Sequence, residues 1–131
     1  MKTTLIIPTY NEVENLPGLI KSLLELPLAD LQVLVVDDAS PDGTGALAEN
    51  LKKKHPQQIE VLHRSGKLGL GSAYIQGFRY CLQTGCGLIG QMDADFSHPP
   101  RKVLELVQAT SEYDLALGSR YIPGGSLDRN W

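Results

Sequence analysis

The sequence predicts an α/β fold with an open, mostly parallel sheet and helices on both faces. Three observations predict it. Short apolar runs alternate with longer amphipathic stretches along most of the chain. The run Val33-Leu34-Val35-Val36 is apolar without alternation, as in a strand covered on both faces. Each apolar run is followed by polar, charged or glycine residues, at the edge where open parallel sheets bind ligands.

The elements follow in order. Leu5-Ile6-Ile7 reads as a first strand ended by Pro8. Leu16, Leu19, Ile20, Leu23 and Leu24 recur at i, i+3, i+4, i+7 and i+8, the stripe of a first helix, which Pro27 closes. Val33 to Val36 is the second strand, and Ser40-Pro41-Asp42-Gly43 is turn chemistry. Thr44 to Lys54 reads as a second helix with Leu47 and Leu51 inward. Its three C-terminal lysines suit the helix dipole. Ile59 to Leu62 is the third strand, and the glycine-rich loop Arg64 to Gly71 follows. Ser72 to Thr84 fits a third helix with Ala73, Ile75, Phe78 and Leu82 as apolar positions. Leu88 to Met92 reads as the fourth strand and Asp93 to Pro100 as a loop. Pro99-Pro100 can open a helix over Lys102 to Thr110, with Val103, Leu106 and Val107 inward. Asp114 to Gly118 is expected as a fifth strand, and Ser119 to Trp131 shows no period. Five strands alternating with four helices imply right-handed crossovers.

Composition bounds the function. With 131 residues and no linker or repeat, the chain is expected to form one domain. A chain of this length buries roughly two thirds of its unfolded surface. Twelve Lys and Arg stand against 15 Asp and Glu, a net charge of −3, which argues against nucleic acid as a partner. No apolar run approaches the ~20 residues that cross a bilayer. Pro8 cuts off the N-terminal apolar run, so no signal peptide is expected and the chain is read as cytoplasmic. Cys81 and Cys86 lie five apart with no second pair, which is neither a zinc pattern nor a disulfide framework; two reduced thiols near a helix end are expected.

The strand exits carry the chemistry. Asp93-Ala94-Asp95 places two carboxylates two apart, on one side if the strand pattern runs on. Hard oxygen ligands so close suit Mg²⁺ or Mn²⁺, with a substrate pyrophosphate completing the shell. Taken alone, the same run also reads as a turn ahead of Pro99. In Asp37-Asp38 one carboxylate can cap the following turn while the other is free for a nucleobase or ribose. The loop with Gly66, Gly69 and Gly71 opens a helix, so its N–H groups with Arg64 and Lys67 could face an anion. It matches neither the dinucleotide nor the Walker pattern. His63 reads as the close of a strand and His98 as a loop anchor. Tyr10 and Glu12 can equally be the start of the first helix, with Asn11 or Glu12 satisfying early N–H groups. Arg120 is the cation at the fifth exit, suited to a phosphate or carboxylate.

Five runs stand in a telling order: Pro8-Thr9-Tyr10-Asn11-Glu12, Val36 to Thr44, Gly69 to Tyr74, Met92 to Pro100, and Gly118-Ser119-Arg120-Tyr121. In this the chain resembles family 2 glycosyltransferases over nearly its whole length. His98-Pro99-Pro100, and Gly118 to Tyr121 followed by Gly124-Gly125, resemble the dolichyl-phosphate (polyprenyl-phosphate) mannosyltransferase branch. The resemblance implies a GT-A fold, Rossmann-like. It implies that Pro8, Tyr10, Glu12, Val36 and Asp38 border the base and ribose of a nucleotide-sugar donor. Asp93, Ala94 and Asp95 would hold ribose, pyrophosphate and metal. Asp95 would be the direct metal ligand and Ser97 a second one, at a position where some members carry Gln. Arg120 would contact the donor phosphates or sugar, and with Asp95 would be the catalytic pair.

The implied reaction moves mannose from GDP-mannose to a polyprenyl phosphate, with inversion, at the cytoplasmic face of a membrane. Members of the family continue past the position of Trp131. Residues 1–131 are therefore expected to be the nucleotide-sugar-binding part of a catalytic domain whose acceptor side is missing. Two alternatives stand beside this reading: another donor such as UDP-glucose, or a nucleotide-sugar-binding module without turnover. A receiver-like signalling domain shares the strand count, but it needs an Asp after the third strand, where this chain has His63-Arg64.

Overall fold

The computed structural model describes residues 2–119. Four strands are present among them, β1 (Thr3–Thr9), β2 (Leu31–Asp37), β3 (Ile59–His63) and β4 (Leu88–Gln91). They alternate with the helices α1 (Leu16–Leu24), α2 (Thr44–Lys54), α3 (Leu70–Thr84) and α4 (Lys102–Ala109). All strand pairs are parallel, in the order β3-β2-β1-β4.

That order explains where the helices lie. The chain steps from β1 to β2 to β3 in one direction, then returns across the sheet to β4. Right-handed crossovers put helices of opposite step direction on opposite faces. Leu16, Leu19, Ile20 and Leu23 of α1, Ala48 of α2 and Val103 of α4 share one core with Leu5, Ile7, Val33 and Val35. Ala73 and Cys81 of α3 form the other core with Ile6, Leu34 and Val36. The alternate side chains of β1 and β2 thus feed two cores, and all seven residues of β2 are buried.

Local chemistry sets the helix ends. Pro17 sits in the first turn of α1, where a missing N–H costs nothing. Gly85 ends α3 in the left-handed conformation at φ 73°. Gly77 lets α3 ride close on β1, since a Cβ there would lie 2.6 Å from Cγ2 of Ile6.

The structure corrects two expectations and orients a third element. Pro8 does not end β1; it lies inside the strand, in register with Val36. Ile6 accepts its bond from Met92 on the β4 side, while Thr3 and Thr9 bond toward β2. By alternation Pro8 faces β4, whose ladder stops at the Ile6–Gln91 pair, so its missing N–H interrupts no bond. Two of the apolar positions of α3, Ile75 and Leu82, lie on its outer side. They are 54% and 76% exposed, and Ala73, Gly77 and Cys81 take the buried stripe instead. The fifth strand at Asp114 to Gly118 is not formed. Apolar residues make a strand only where a neighbour supplies ladder bonds and packing. Here Leu115 and Leu117 are exposed and unpaired with the sheet edge at β4.

Both cysteines are free thiols, Cys81 buried and Cys86 half-buried. Burial, with Cys86 beside it, pushes the Cys81 thiol up to about 12. A thiol reagent at pH 8 is therefore expected to label Cys86 in the native protein and Cys81 only on unfolding. Peptide mapping after timed labelling checks this, and equal rates would contradict it.

A second expectation concerns pH. Lys52 of α2 pairs with Glu60 of β3 at 2.6 Å. Burial alone would raise the Glu60 carboxyl, but Lys52 and the Val61 N–H outweigh it and hold it below the ordinary 4.5. A depressed carboxyl contributes stability above its unfolded value and loses it as pH falls through the folded one. Glu60→Gln is expected to cost under ~1 kcal/mol at pH 7, because the pair is partly exposed. Thermal melts of variant and parent should converge in acid; a constant gap would contradict the assignment.

Candidate functional site

Winding reverses between β1 and β4. The crevice outside the carboxyl ends of strands at such a reversal is where open α/β sheets bind ligands. The loops after β1 and β4 meet this crevice, and those after β2 and β3 flank it.

The loop after β1 is held by the turn after β2. The N–H of Asn11 donates to Ser40 Oγ at 3.0 Å, that of Glu12 to Thr44 Oγ1 at 3.0 Å, and that of Val13 to the Asp42 carboxylate at 3.2 Å. Asp42 also accepts from the N–H and hydroxyl of Thr44. The Thr44 hydroxyl holds its carboxyl below the ordinary value, against slight burial. The Glu12 main-chain carbonyl accepts from Asn15 and Leu16, and its carboxylate accepts from Asn15 Nδ2 at 3.0 Å. Glu12 thus serves the start of α1. Tyr10 is 36% exposed, and Lys67 Nζ stands 4.4 Å from its ring centroid, a cation–π contact.

The acidic pair after β2 divides differently from the sequence expectation. Asp37, 2% exposed, accepts from Thr9 Oγ1 at 2.6 Å, from Ser40 Oγ at 2.7 Å and from the Ser40 N–H at 3.1 Å. It caps the turn, as expected of one member. Asp38 is not free. It is 6% exposed, and its Oδ2 accepts from the N–H groups of Leu68 and Gly69, each at 3.1 Å. Nε of Arg64 lies 3.0 Å from Asp38 Oδ1, an ion pair too poorly aligned to count as a hydrogen bond. The reading of the glycine loop is corrected with it. Its amides and Arg64 do face an anion, but that anion is Asp38 of the same chain, and Lys67 lies on Tyr10.

The loop after β4 carries the oxygen donors. Asp93 and Asp95 do not share a strand side, because β4 ends at Gln91. Asp93 accepts from the Tyr74 hydroxyl at 2.9 Å, and burial and this carboxylate push the Tyr74 hydroxyl up. The Asp93 N–H donates to His98 Nδ1 at 3.2 Å, so His98 anchors the loop as expected. Asp95 is exposed and accepts from the Ser97 N–H at 3.0 Å. Burial would raise its carboxyl, but the Ser97 hydroxyl and N–H, then His98, hold it below the ordinary value. Ser97 Oγ is buried near Asp95 with no completed hydrogen bond. His63 closes β3 and pairs with Glu49 at 2.6 Å on the surface.

Non-glycine residues with left-handed backbone stand at three of these exits: Asn11 (φ 56°), Ala39 (φ 54°) and Phe96 (φ 63°). Each costs on the order of 1–3 kcal/mol, a strain that clusters at functional loops.

The fit to a hard cation can be tested on these atoms. No group of three or more His, Cys, Asp or Glu side chains suited to a metal occurs among the described residues. The exposed Asp95 carboxylate with the Ser97 hydroxyl beside it is the partial oxygen set that Mg²⁺ or Mn²⁺ takes when phosphates supply the rest. Val36 and Ala94 bury their side chains in the two cores, so a ligand reaches them only through the main chain. Arg120 lies outside the described residues. Tyr74 and Arg64 were missed as partners of the two acids. Tyr74 is 19 residues from Asp93 in sequence, and only its place on the sheet-facing side of α3 hints at the contact.

The chain matches the model of glycosyl transferase family 2 over residues 4–131. It is 50% identical over 131 residues to the polyprenol monophosphomannose synthase of Mycolicibacterium smegmatis, covering 99% of this chain and 49% of that protein. It is 48% identical over 132 residues to the undecaprenyl-phosphate mannosyltransferase of Micrococcus luteus, covering 100% of this chain and 53% of that protein. The chain therefore spans about half the length of these relatives. Among solved structures it resembles a mannosyltransferase from Pyrobaculum calidifontis in complex with GDP-Man and Mn²⁺. The TM-score is 0.70 at 25% identity, over 86% of this chain and 33% of that one.

Proposed function

Because the chain belongs to glycosyl transferase family 2, we propose that residues 1–131 form the nucleotide-sugar-binding part of a transferase that moves mannose from GDP-mannose to a polyprenyl phosphate, with inversion at the anomeric carbon. The observation that carries this reading is the loop Asp93 to Ser97, which puts the exposed Asp95 carboxylate at the β1–β4 reversal. Relatives that make polyprenyl-phosphate mannose, and a neighbour that holds GDP-Man with Mn²⁺, support the choice of donor and acceptor.

In this reading Tyr10 offers a ring face to the base, exchanging the Lys67 cation for it. Pro8, Glu12, Val36 and Asp38 border base and ribose, and Asp93 with the Ala94 main chain holds ribose and pyrophosphate. Asp95 and Ser97 would hold a divalent cation, Mg²⁺ or Mn²⁺, whose charge offsets that growing on the leaving diphosphate. Arg120 adds a cation for the same phosphates. The acceptor phosphate is already an anion near pH 7, so the transfer needs no strong general base, in keeping with His63 on the surface and His98 in the loop frame. No helix among the described residues is long and apolar enough to cross a membrane. We place the encounter with the polyprenyl phosphate at the cytoplasmic face of a membrane.

The test is transfer itself. Labelled GDP-mannose incubated with a short-chain polyprenyl phosphate and MnCl₂ is expected to yield a lipid-soluble labelled product. Labelled UDP-glucose should yield none. Bound GDP-mannose with no product would reduce the chain to a donor-binding module.

A further inference from the structure

Asp38 and Asp93 leave the sheet from β2 and β4, on opposite sides of β1. Neither strand exit links them, but one other segment touches both. On one side the amides of Leu68 and Gly69 hold Asp38 Oδ2 at 3.1 Å, and Arg64 lies against its other oxygen at 3.0 Å. Arg64 also donates through Nη2 to Ser72 Oγ in the first turn of α3. On the other side, two residues along the same helix, the Tyr74 hydroxyl donates to Asp93 at 2.9 Å. The close seat of α3 on Ile6, permitted by Gly77, fixes the helix relative to β1 between them.

The Arg64 side chain is only 2% exposed, and its Nε and Nη1 have no hydrogen-bond partner. A guanidinium held so deep is costly unless it answers a specific charge. The charge it meets is Asp38. Its fork reaches Asp38 and Ser72 together, which the single ammonium of a lysine cannot reproduce.

We propose that the glycine loop and the first turns of α3 act as one clamp that sets the two acids bordering the donor site, with Arg64 and Tyr74 as positioning residues for Asp38 and Asp93. The clamp rests on the donor site proposed above. It assigns no contact with substrate to either residue; both act through the acids they hold.

Two measurements on the full chain test it. In the ligand-free protein, amide hydrogen exchange read by NMR should show Leu68 and Gly69 protected. Arg64→Lys should speed their exchange about tenfold, as a weakened hydrogen bond does. In calorimetric titration with GDP-mannose and MnCl₂, Tyr74→Phe keeps the ring and removes one hydroxyl. It should bind about tenfold more weakly than the parent, as loss of a supporting partner does, with a melting temperature lowered by no more than about 4 °C. Loss of affinity without loss of fold is what a merely structural tyrosine would not give. Should Tyr74→Phe fail to fold, Arg64→Lys carries the titration with the same expectation. Equal affinity in variant and parent overturns the proposal, as do unprotected Leu68 and Gly69 amides in the parent. A parent with protected amides that binds no GDP-mannose sinks the functional reading, and the positioning role falls with it while the apo geometry stands.

Discussion

Asp95→Ala is expected to weaken GDP-mannose binding in MnCl₂ by about 100-fold or more, since even outer partners of a metal site are worth 10–100-fold. The fold should barely notice. Asp95 is exposed and accepts from the Ser97 N–H at 3.0 Å within its own turn. Surface changes of that kind fall within roughly ±0.5 kcal/mol. Titration of the variant beside a thermal melt reads both numbers. Affinity unchanged in Asp95→Ala would remove the cation from this loop and with it the assignment of Ser97.

Asp37→Ala is expected to do the reverse, costing about 3–5 kcal/mol of stability through three stranded donors. The Thr9 hydroxyl, the Ser40 hydroxyl and the Ser40 N–H all bond to a carboxylate that is 2% exposed. The bond from Thr9 also ties β1 to β2 just where both strands end. Against a usual total of about 5–15 kcal/mol, that loss should move a urea midpoint far to lower concentration. A cost below about 1 kcal/mol would mean that the pocket relaxes or admits water in place of the carboxylate.

These two aspartates show what the sequence discloses and what it withholds. Both precede turn-like residues and both follow strands, so local pattern treats them as equals. Their difference lies in what faces them across the sheet: Thr9 and Ser40 for one, open solvent for the other. The same holds within the pair Asp37-Asp38. The sequence announces two carboxylates, but only the fold shows the loop from β3 returning to place two amides on Asp38, 30 and 31 residues away. The glycines that read as an anion cradle are one, and the anion is internal.

The architecture was far more legible. The buried run at Val33 to Val36 and the stripe from Leu16 to Leu23 are periodic signals, and α2 starts and stops at Thr44 and Lys54 as the pattern says. Burial on both faces of β2 follows from its lack of alternation. The fifth strand failed because propensity does not supply a partner: Leu115 and Leu117 lie exposed rather than on the edge at β4. In α3 the apolar positions legible in the sequence, Ala73, Ile75, Phe78 and Leu82, do not by themselves say which side meets the sheet. The helix turns its small residues, Ala73, Gly77 and Cys81, to the sheet, since only a small face can approach Ile6 so closely. That rotation also aims Tyr74 at Asp93, a contact no spacing rule over 19 residues could give.

The central claim, a nucleotide-sugar site at the reversal between β1 and β4, is tested most directly by calorimetric titration of the purified chain. GDP-mannose is titrated with MnCl₂ or MgCl₂ present and again after chelation, with UDP-glucose as the control. The account predicts saturable binding of GDP-mannose that the chelator abolishes and UDP-glucose does not share. A folded sample that binds neither sugar nucleotide, with or without the cation, would contradict it.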